Sequence, residues 1–174
     1  MLTHADVQLQ VDRGVAAEVR VGAAGSVTEV ITIERVVTVE KSVESVFAYL
    51  SDFETTTEWD PGTVSTVKVD GDGGPGTKYR NKSSFAGRET ELEYVVQHRE
   101  AGRVFQLHGE NKTVSALDTM TFRATDGGTE VTYRAEFEFK GVTRLIEPLF
   151  RSQFKKLGDE AEEGMRTALE KLEG

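Results

Sequence analysis

From Ile146 to Leu172 the apolar residues recur at helical spacing, and this stripe constrains the fold more than any other feature of the chain. Ile146, Phe150, Phe154 or Gln153, Leu157, Ala161, Met165, Ala168 and Leu172 line one face, with Pro148 tolerated because it falls in the opening turn. Lys155, Glu162, Glu163, Arg166 and Glu170 lie off the stripe. Such a helix must bury its apolar face. The segments before it alternate at the period of strands, so the concave side of a sheet is the partner that remains.

Those segments begin at Val30, where Ile31, Ile33, Val37 and Val39 share one parity and Thr32, Glu34, Thr38 and Glu40 the other. Ser42 then caps a short helix, with Glu44 in its first turn and Val43, Val46, Phe47 and Leu50 on one face. Phe53 and Trp59 flank a polar stretch read as a second short helix. It ends before Pro61, because a residue preceding proline is driven to extended geometry. Turn signals follow at Gly71 to Gly76, Ala86-Gly87, Ala101-Gly102, Asn111-Lys112 and Asp126-Gly127-Gly128. Between them lie alternating runs rich in Val, Thr, Tyr and Phe, and short connections between consecutive strands predict an antiparallel meander. Residues 1–29 hold two short alternating pieces, at Val7 to Val11 and Glu18 to Val21. They are expected to form a loosely held extension to a domain spanning 30–174.

Composition narrows the function. A net charge of -9 repels phosphate backbones and anionic headgroups, which argues against nucleic-acid binding. Lys78, Arg80 and Lys82 alternate onto one strand face, read as the solvated one. There are no cysteines, so disulfides and thiolate metal sites are excluded and a cytoplasmic location is expected. No apolar run is long enough to span a membrane and the N-terminus lacks a signal-peptide pattern, so no membrane insertion is expected.

Several motifs bear on identity: the Val46 to Leu50 helix, Asp52-Phe53, Trp59-Asp60-Pro61-Gly62, the Asp126-Gly127-Gly128-Thr129 hairpin before a Tyr-containing strand, and Pro148-Leu149-Phe150. In this order, over about residues 30–174, the chain resembles the START-like helix-grip superfamily and within it the polyketide cyclase/dehydrase and lipid-transport (SRPBCC) family. The resemblance implies an α+β fold, a curved sheet of about seven strands in the order 1-7-6-5-4-3-2 wrapped around the C-terminal helix. It also implies a ligand cavity between sheet and helix. Members bind lipids, sterols, polyketides or hormones, some act as aromatase/cyclases, and related domains bind a chaperone. No catalytic motif accompanies the fold, so none is transferred.

Strand parity supplies the candidate site. It turns inward Tyr79, Asn81, Ser83 and Phe85, then Leu92 and Tyr94, then Phe105 and Leu107. Met120 and Phe122 follow, and finally Tyr133 and Phe137. The helix offers Leu157, Ala161 and Met165, and its Gly158 and Gly164 call for either a close contact or an empty volume, the latter being room for a ligand. Filling of the core explains most aromatic stripes equally well; Tyr79, Asn81, Tyr94 and Tyr133 stand out because an inward polar tip needs a partner. Trp59 either covers the cavity mouth or packs the short helices on the sheet. Asp118 shares parity with Met120 and Phe122: turned inward it is a candidate acid/base with a raised pKa, whereas a bulge or strand end would leave it in water. His98 and His108 lack a second ligand at metal spacing, the serines lack a nucleophile elbow, and Gly71 to Gly76 lacks the elements of a phosphate loop. No metal or cofactor is expected. The leading expectation is a carrier or sensor of a lipid-like or polycyclic small hydrophobic molecule, with motion of the Gly71 to Gly76 loop or the start of the last helix on binding. An aromatase/cyclase-type enzyme and a protein-interaction module are the alternatives. Oligomeric state is not encoded in these patterns.

Overall fold

The computed structural model describes residues 8–11, 14–21, 27–85, 87–140 and 148–173. Nine strands form one sheet: β1 (Gln8–Val11), β2 (Val15–Val21), β3 (Val27–Val39), β4 (Thr63–Asp70), β5 (Lys78–Phe85), β6 (Arg88–Glu100), β7 (Val104–Glu110), β8 (Val114–Thr125) and β9 (Gly128–Phe139). After β3 come α1 (Val43–Leu50), a 3₁₀ turn (Phe53–Thr55) and α2 (Thr56–Trp59), and the chain closes with α3 (Pro148–Glu170). The order is β1-β2-β3-β9-β8-β7-β6-β5-β4. It contains the seven-strand order expected from the sequence, with the last strand beside the first of the main run, and adds the β1-β2 hairpin to the free edge of β3. Ile146 and Ala86 lie outside the described residues, as do residues 1–7, 12–13 and 22–26.

Local chemistry places the elements. The Ser42 hydroxyl accepts from the Ser45 N–H and starts α1, whose buried Val46, Phe47 and Leu50 pack on the sheet. Phe47 meets Phe122 edge-on at 5.1 Å. On the outer face Lys78 and Arg80 are exposed and Lys82 is half-exposed, and the three pair diagonally with Glu93, Glu91 and Glu89 of β6, as the solvated reading required.

The stripe of α3 is centred on Phe154, Gly158, Ala161, Met165 and Leu169, all buried. Leu169 takes the place expected of Ala168, which lies at its flank, as a 3.6-residue period demands over this length. The two helical glycines are not empty volume. A Cβ at Gly164 would strike the carbonyl oxygen of Trp59, and one at Gly158 would lie 2.7 Å from Ile33 Cγ2 and 2.8 Å from Arg35 Nη2. Close contact, the other cause of a mid-helix glycine, applies at both.

Arg35 interrupts the apolar parity of β3, yet it is 6 % exposed. Its guanidinium donates to Asp159 Oδ1 at 2.8 Å, to the Lys155 carbonyl at 3.2 Å and to the Gly14 carbonyl at 2.7 Å. One buried cation thus ties α3 and the turn before β2 to the middle of β3.

Gly164→Ala is expected to lower unfolding stability by about 1–3 kcal/mol, because overpacking against backbone outweighs the helix-propensity gain of about 1 kcal/mol. Chemical denaturation checks this, and a stabilised variant would mean that position 164 faces free space.

Candidate functional site

Parity alone turns a whole strand face inward; the helices decide which part of it stays open. Along β5, Tyr79 lies in packed core, whereas Asn81, Ser83 and Phe85 border a cavity. The same division runs across β8, where Met120 and Phe122 are packed and Asp118 is at the cavity, and across β9, where Val131 is packed and Tyr133 and Phe137 line the space. α1 and the 3₁₀ turn fill the packed half: Phe53 sits 5.5 Å from the ring of Tyr79 and 4.9 Å from that of Tyr94. The unfilled half encloses about 140 Å³, roofed by Phe154, Leu157, Gly158 and Ala161 of α3.

Of the residues expected from the sequence, Trp59, Asn81, Phe85, Tyr94, Asp118, Tyr133, Phe137, Leu157 and Ala161 meet at this cavity. Tyr79, Phe105, Leu107, Met120, Phe122 and Met165 do not; they are buried in the core cluster. Parity could not separate the two groups, because both halves of an inward face look alike in sequence.

Asp118 is 4 % exposed, inside the sheet and not at a bulge or a strand end. Tyr133 donates its hydroxyl to Asp118 Oδ1 at 2.8 Å, and Tyr94 hydrogen-bonds the same carboxyl group. Tyr94 reaches it across β7 by lying over Gly109, where a Cβ would come within 2.6 Å of the tyrosine ring. A glycine inside a strand marks such an approach. Burial pushes the Asp118 carboxyl up to about 6 despite the two tyrosine hydrogen bonds, which favour the ionised form, and the charge of Asp60 adds to the rise. Burial likewise raises both tyrosines well above their ordinary value, and the neighbouring carboxylate raises them further.

A second polar wall joins the expected Asn81 and Ser83 to Asp60 and Thr63, which the sequence reading did not pick out. Asp60 accepts from the Thr63 hydroxyl at 2.8 Å and from the Gly62 N–H at 3.0 Å, and burial raises its carboxyl too. Asn81 donates to Thr66 at 2.8 Å and accepts from Ser83 at 2.6 Å. The Asp-Pro-Gly turn signalled a chain reversal, but nothing in it marked the carboxylate as facing a cavity. Trp59 is 2 % exposed and meets Tyr133 edge-on at 5.6 Å. It therefore both packs α2 and lines the cavity, and its indole N–H is buried with no partner among the described residues. Phe154 closes one end, 4.6 Å from Phe85 and 5.5 Å from Phe137. His108 lies outside this site, its Nε2 2.8 Å from Ser115 Oγ. Among the described residues no three His, Asp or Glu side chains are grouped to hold a metal ion.

A sheet gripping a long helix over a partly filled interior defines a helix-grip protein. The family model described as polyketide cyclase/dehydrase and lipid transport matches residues 26–172, and the chain belongs to that family. A START superfamily protein from Mycobacterium smegmatis superposes with a TM-score of 0.66 at 13 % identity, over 82 % of this chain and 99 % of its own. The Zhui aromatase/cyclase from Streptomyces sp. R1128 gives 0.65 at 14 %, over 80 % and 91 %. At these identities the likeness is one of fold. No curated protein sequence matches the chain. Among the described residues no helix is long and apolar enough to cross a membrane.

The raised Asp118 pKa has a thermodynamic sign. Between its ordinary 3.8 and about 6 the native state holds a proton that the unfolded chain releases, so this group's contribution to stability falls as pH rises through that window. The full penalty, on the order of 3 kcal/mol, persists above it. Asp118→Asn removes the titration. Its melting temperature relative to the parent chain is expected to rise by roughly 5–10 °C from pH 4 to pH 7. Differential scanning calorimetry reads this, and a pH-independent difference would show that Asp118 titrates normally.

Proposed function

We propose that this protein binds a small, largely apolar molecule in the cavity beneath α3, oriented by the Asp118, Tyr94 and Tyr133 cluster. The observation that carries this reading is the combination of a partly enclosed, mostly apolar space with a few convergent polar groups, the usual composition of a ligand site. Apolar burial supplies the affinity at about 25 cal/mol per Å², and the polar cluster sets the pose. At about 140 Å³ the cavity as it stands suits a single ring, since a space of roughly 150 Å³ accommodates benzene. A longer lipid or a fused-ring polyketide requires Phe154 and the first turns of α3 to move outward. Family membership supports a hydrophobic ligand without specifying it.

One observation favours a second reading, an enzyme of the aromatase/cyclase type. Asp118 is a buried carboxylate whose pKa of about 6 lies near neutrality, and a base so tuned can take a proton from carbon beside a carbonyl while the cavity holds the chain folded. Tyr133 and Tyr94, hydrogen-bonded to it, would position the carboxylate and share its charge.

The binding reading is tested with toluene, matched in size to the cavity and followed by the emission of Trp59, with the larger neutral dye N-phenyl-1-naphthylamine, which enters only if Phe154 and the first turns of α3 move outward, and by native mass spectrometry of the freshly purified protein. Ala161→Trp fills the roof of the cavity and is expected to weaken the dye by about tenfold or more while the fold, checked by circular dichroism, is retained. Undiminished affinity would move the site elsewhere. Turnover of a poly-β-ketone thioester that disappears in Asp118→Asn, with dye binding kept, would establish the catalytic reading; turnover that survives would remove Asp118 from it.

A further inference from the structure

The polar groups around the cavity differ in what they have left to offer. The charged side chains bordering it are Asp60 and Asp118, and among the described residues no Lys, Arg or His lines it. Arg35, behind Gly158, is committed to Asp159 and to the carbonyls of Gly14, Glu34 and Lys155. An anionic guest would therefore enter beside two carboxylates with no cation to meet it, and an unpaired buried charge is strongly disfavoured.

The neutral groups narrow the choice further. Hydroxyl donors of the walls are directed at protein acceptors: Tyr133 at Asp118, Thr63 at Asp60 and Ser83 at Asn81, while the Asn81 amide serves Thr66. What remains on this side is acceptor capacity, because an ionised carboxylate offers about four lone-pair sites and the hydrogen bonds named for Asp118 come from Tyr133 and Tyr94. The exceptions are the hydroxyls of Ser84, which is exposed, and Thr90, which is half-buried, at the margin of the cavity, and, away from solvent, the Trp59 indole N–H, buried and without a partner among the described residues in a ring that lines the cavity. A group that donates to a carboxylate and accepts from an N–H matches both leftovers, and a hydroxyl does both.

Resting on the reading of this cavity as a ligand site, we infer that its guest is a neutral, hydroxyl-bearing ring compound, a phenol or alcohol, and that the site rejects carboxylates. The hydroxyl donates to Asp118 and accepts from Trp59, and the ring occupies the apolar space under Phe154 and Ala161. Charge and donor inventory, not shape, separate such a molecule from a carboxylate of the same size.

Four probes of similar volume separate the possibilities: benzyl alcohol, ethylbenzene, benzoate and benzylamine. Titrations at pH 7.5 are read by calorimetry and by the fluorescence of Trp59, the sole tryptophan of the chain. Benzyl alcohol is expected to bind about tenfold more tightly than ethylbenzene, the scale of one hydrogen bond to a charged group, and benzoate to show no binding. In Asp118→Asn the gap between benzyl alcohol and benzoate is expected to narrow, with folding verified by the thermal transition. Equal binding of ethylbenzene and benzyl alcohol would overturn the donor requirement and leave an apolar site intact. Benzoate binding as well as the alcohol would overturn the charge argument, and benzylammonium binding most tightly would replace the neutral guest with a cation. Failure of all four, together with failure of toluene and the neutral dye, would bring down the cavity reading itself.

Discussion

The closeness with which α3 can approach its neighbours governs the rest of this structure. At positions 158 and 164 there is room for a hydrogen and not for a methyl group, so the helix settles against Ile33 and Arg35 on one side and the backbone of Trp59 on the other. Arg35 fixes that seat by bonding α3, its own strand and the turn before β2 at once. With the helix so placed, Phe154, Leu157, Gly158 and Ala161 roof the open part of the interior, and Met165 and Leu169 join the packed part. What lies between is then divided by α1 and the 3₁₀ turn, which fill one half and leave the other walled and partly empty. Tyr94, Asp118 and Tyr133 stand on the dividing line.

Much of this was written in alternation. Strand parity gave the meander, the inward faces and the helix that had to cover them, and the strand order of the main run followed from the helix-grip resemblance. Parity has no way of expressing where along a strand another element sits, so Tyr79 and Asn81, two residues apart on one face, read identically while one is packed and the other borders the cavity. Asp118 shows the same limit from the other side: its parity placed it inward, but burial and pairing depend on Tyr94 arriving from a strand two positions away over Gly109. The glycines of α3 carried a real signal, an unfavourable residue in a helix interior. Only the packed structure distinguished a close contact from a void. Arg35 fills the gap between Ile33 and Val37 in the apolar series, a position the sequence reading passed over, and its partners in α3 lie more than a hundred residues away.

Placing Asp118 in this interior has a cost that a purely structural core would avoid. A leucine there would relieve the penalty and leave the Tyr133 hydroxyl without its acceptor, so the carboxylate and the tyrosines stand or fall as a unit. Such clusters concentrate where a protein needs reactivity or selectivity, and proximity to an apolar cavity is what makes this one more than a buried pair.

Gly109 bears on assembly as well as on the site. An antiparallel pair that slips by one residue turns its apolar side inside out and is rejected at once, but a slip of two preserves every inward and outward assignment. The charges of β5 and β6 give little protection, since Lys78, Arg80 and Lys82 would still meet glutamates over much of their length. Between β6 and β7 the discrimination is steric: the ring of Tyr94 has a recess over Gly109, whereas a shift of two would bring it against Leu107 or Asn111. The absent side chain thus acts as a keyway for the register of the two strands, and the same alignment brings the tyrosine hydroxyl to its carboxylate.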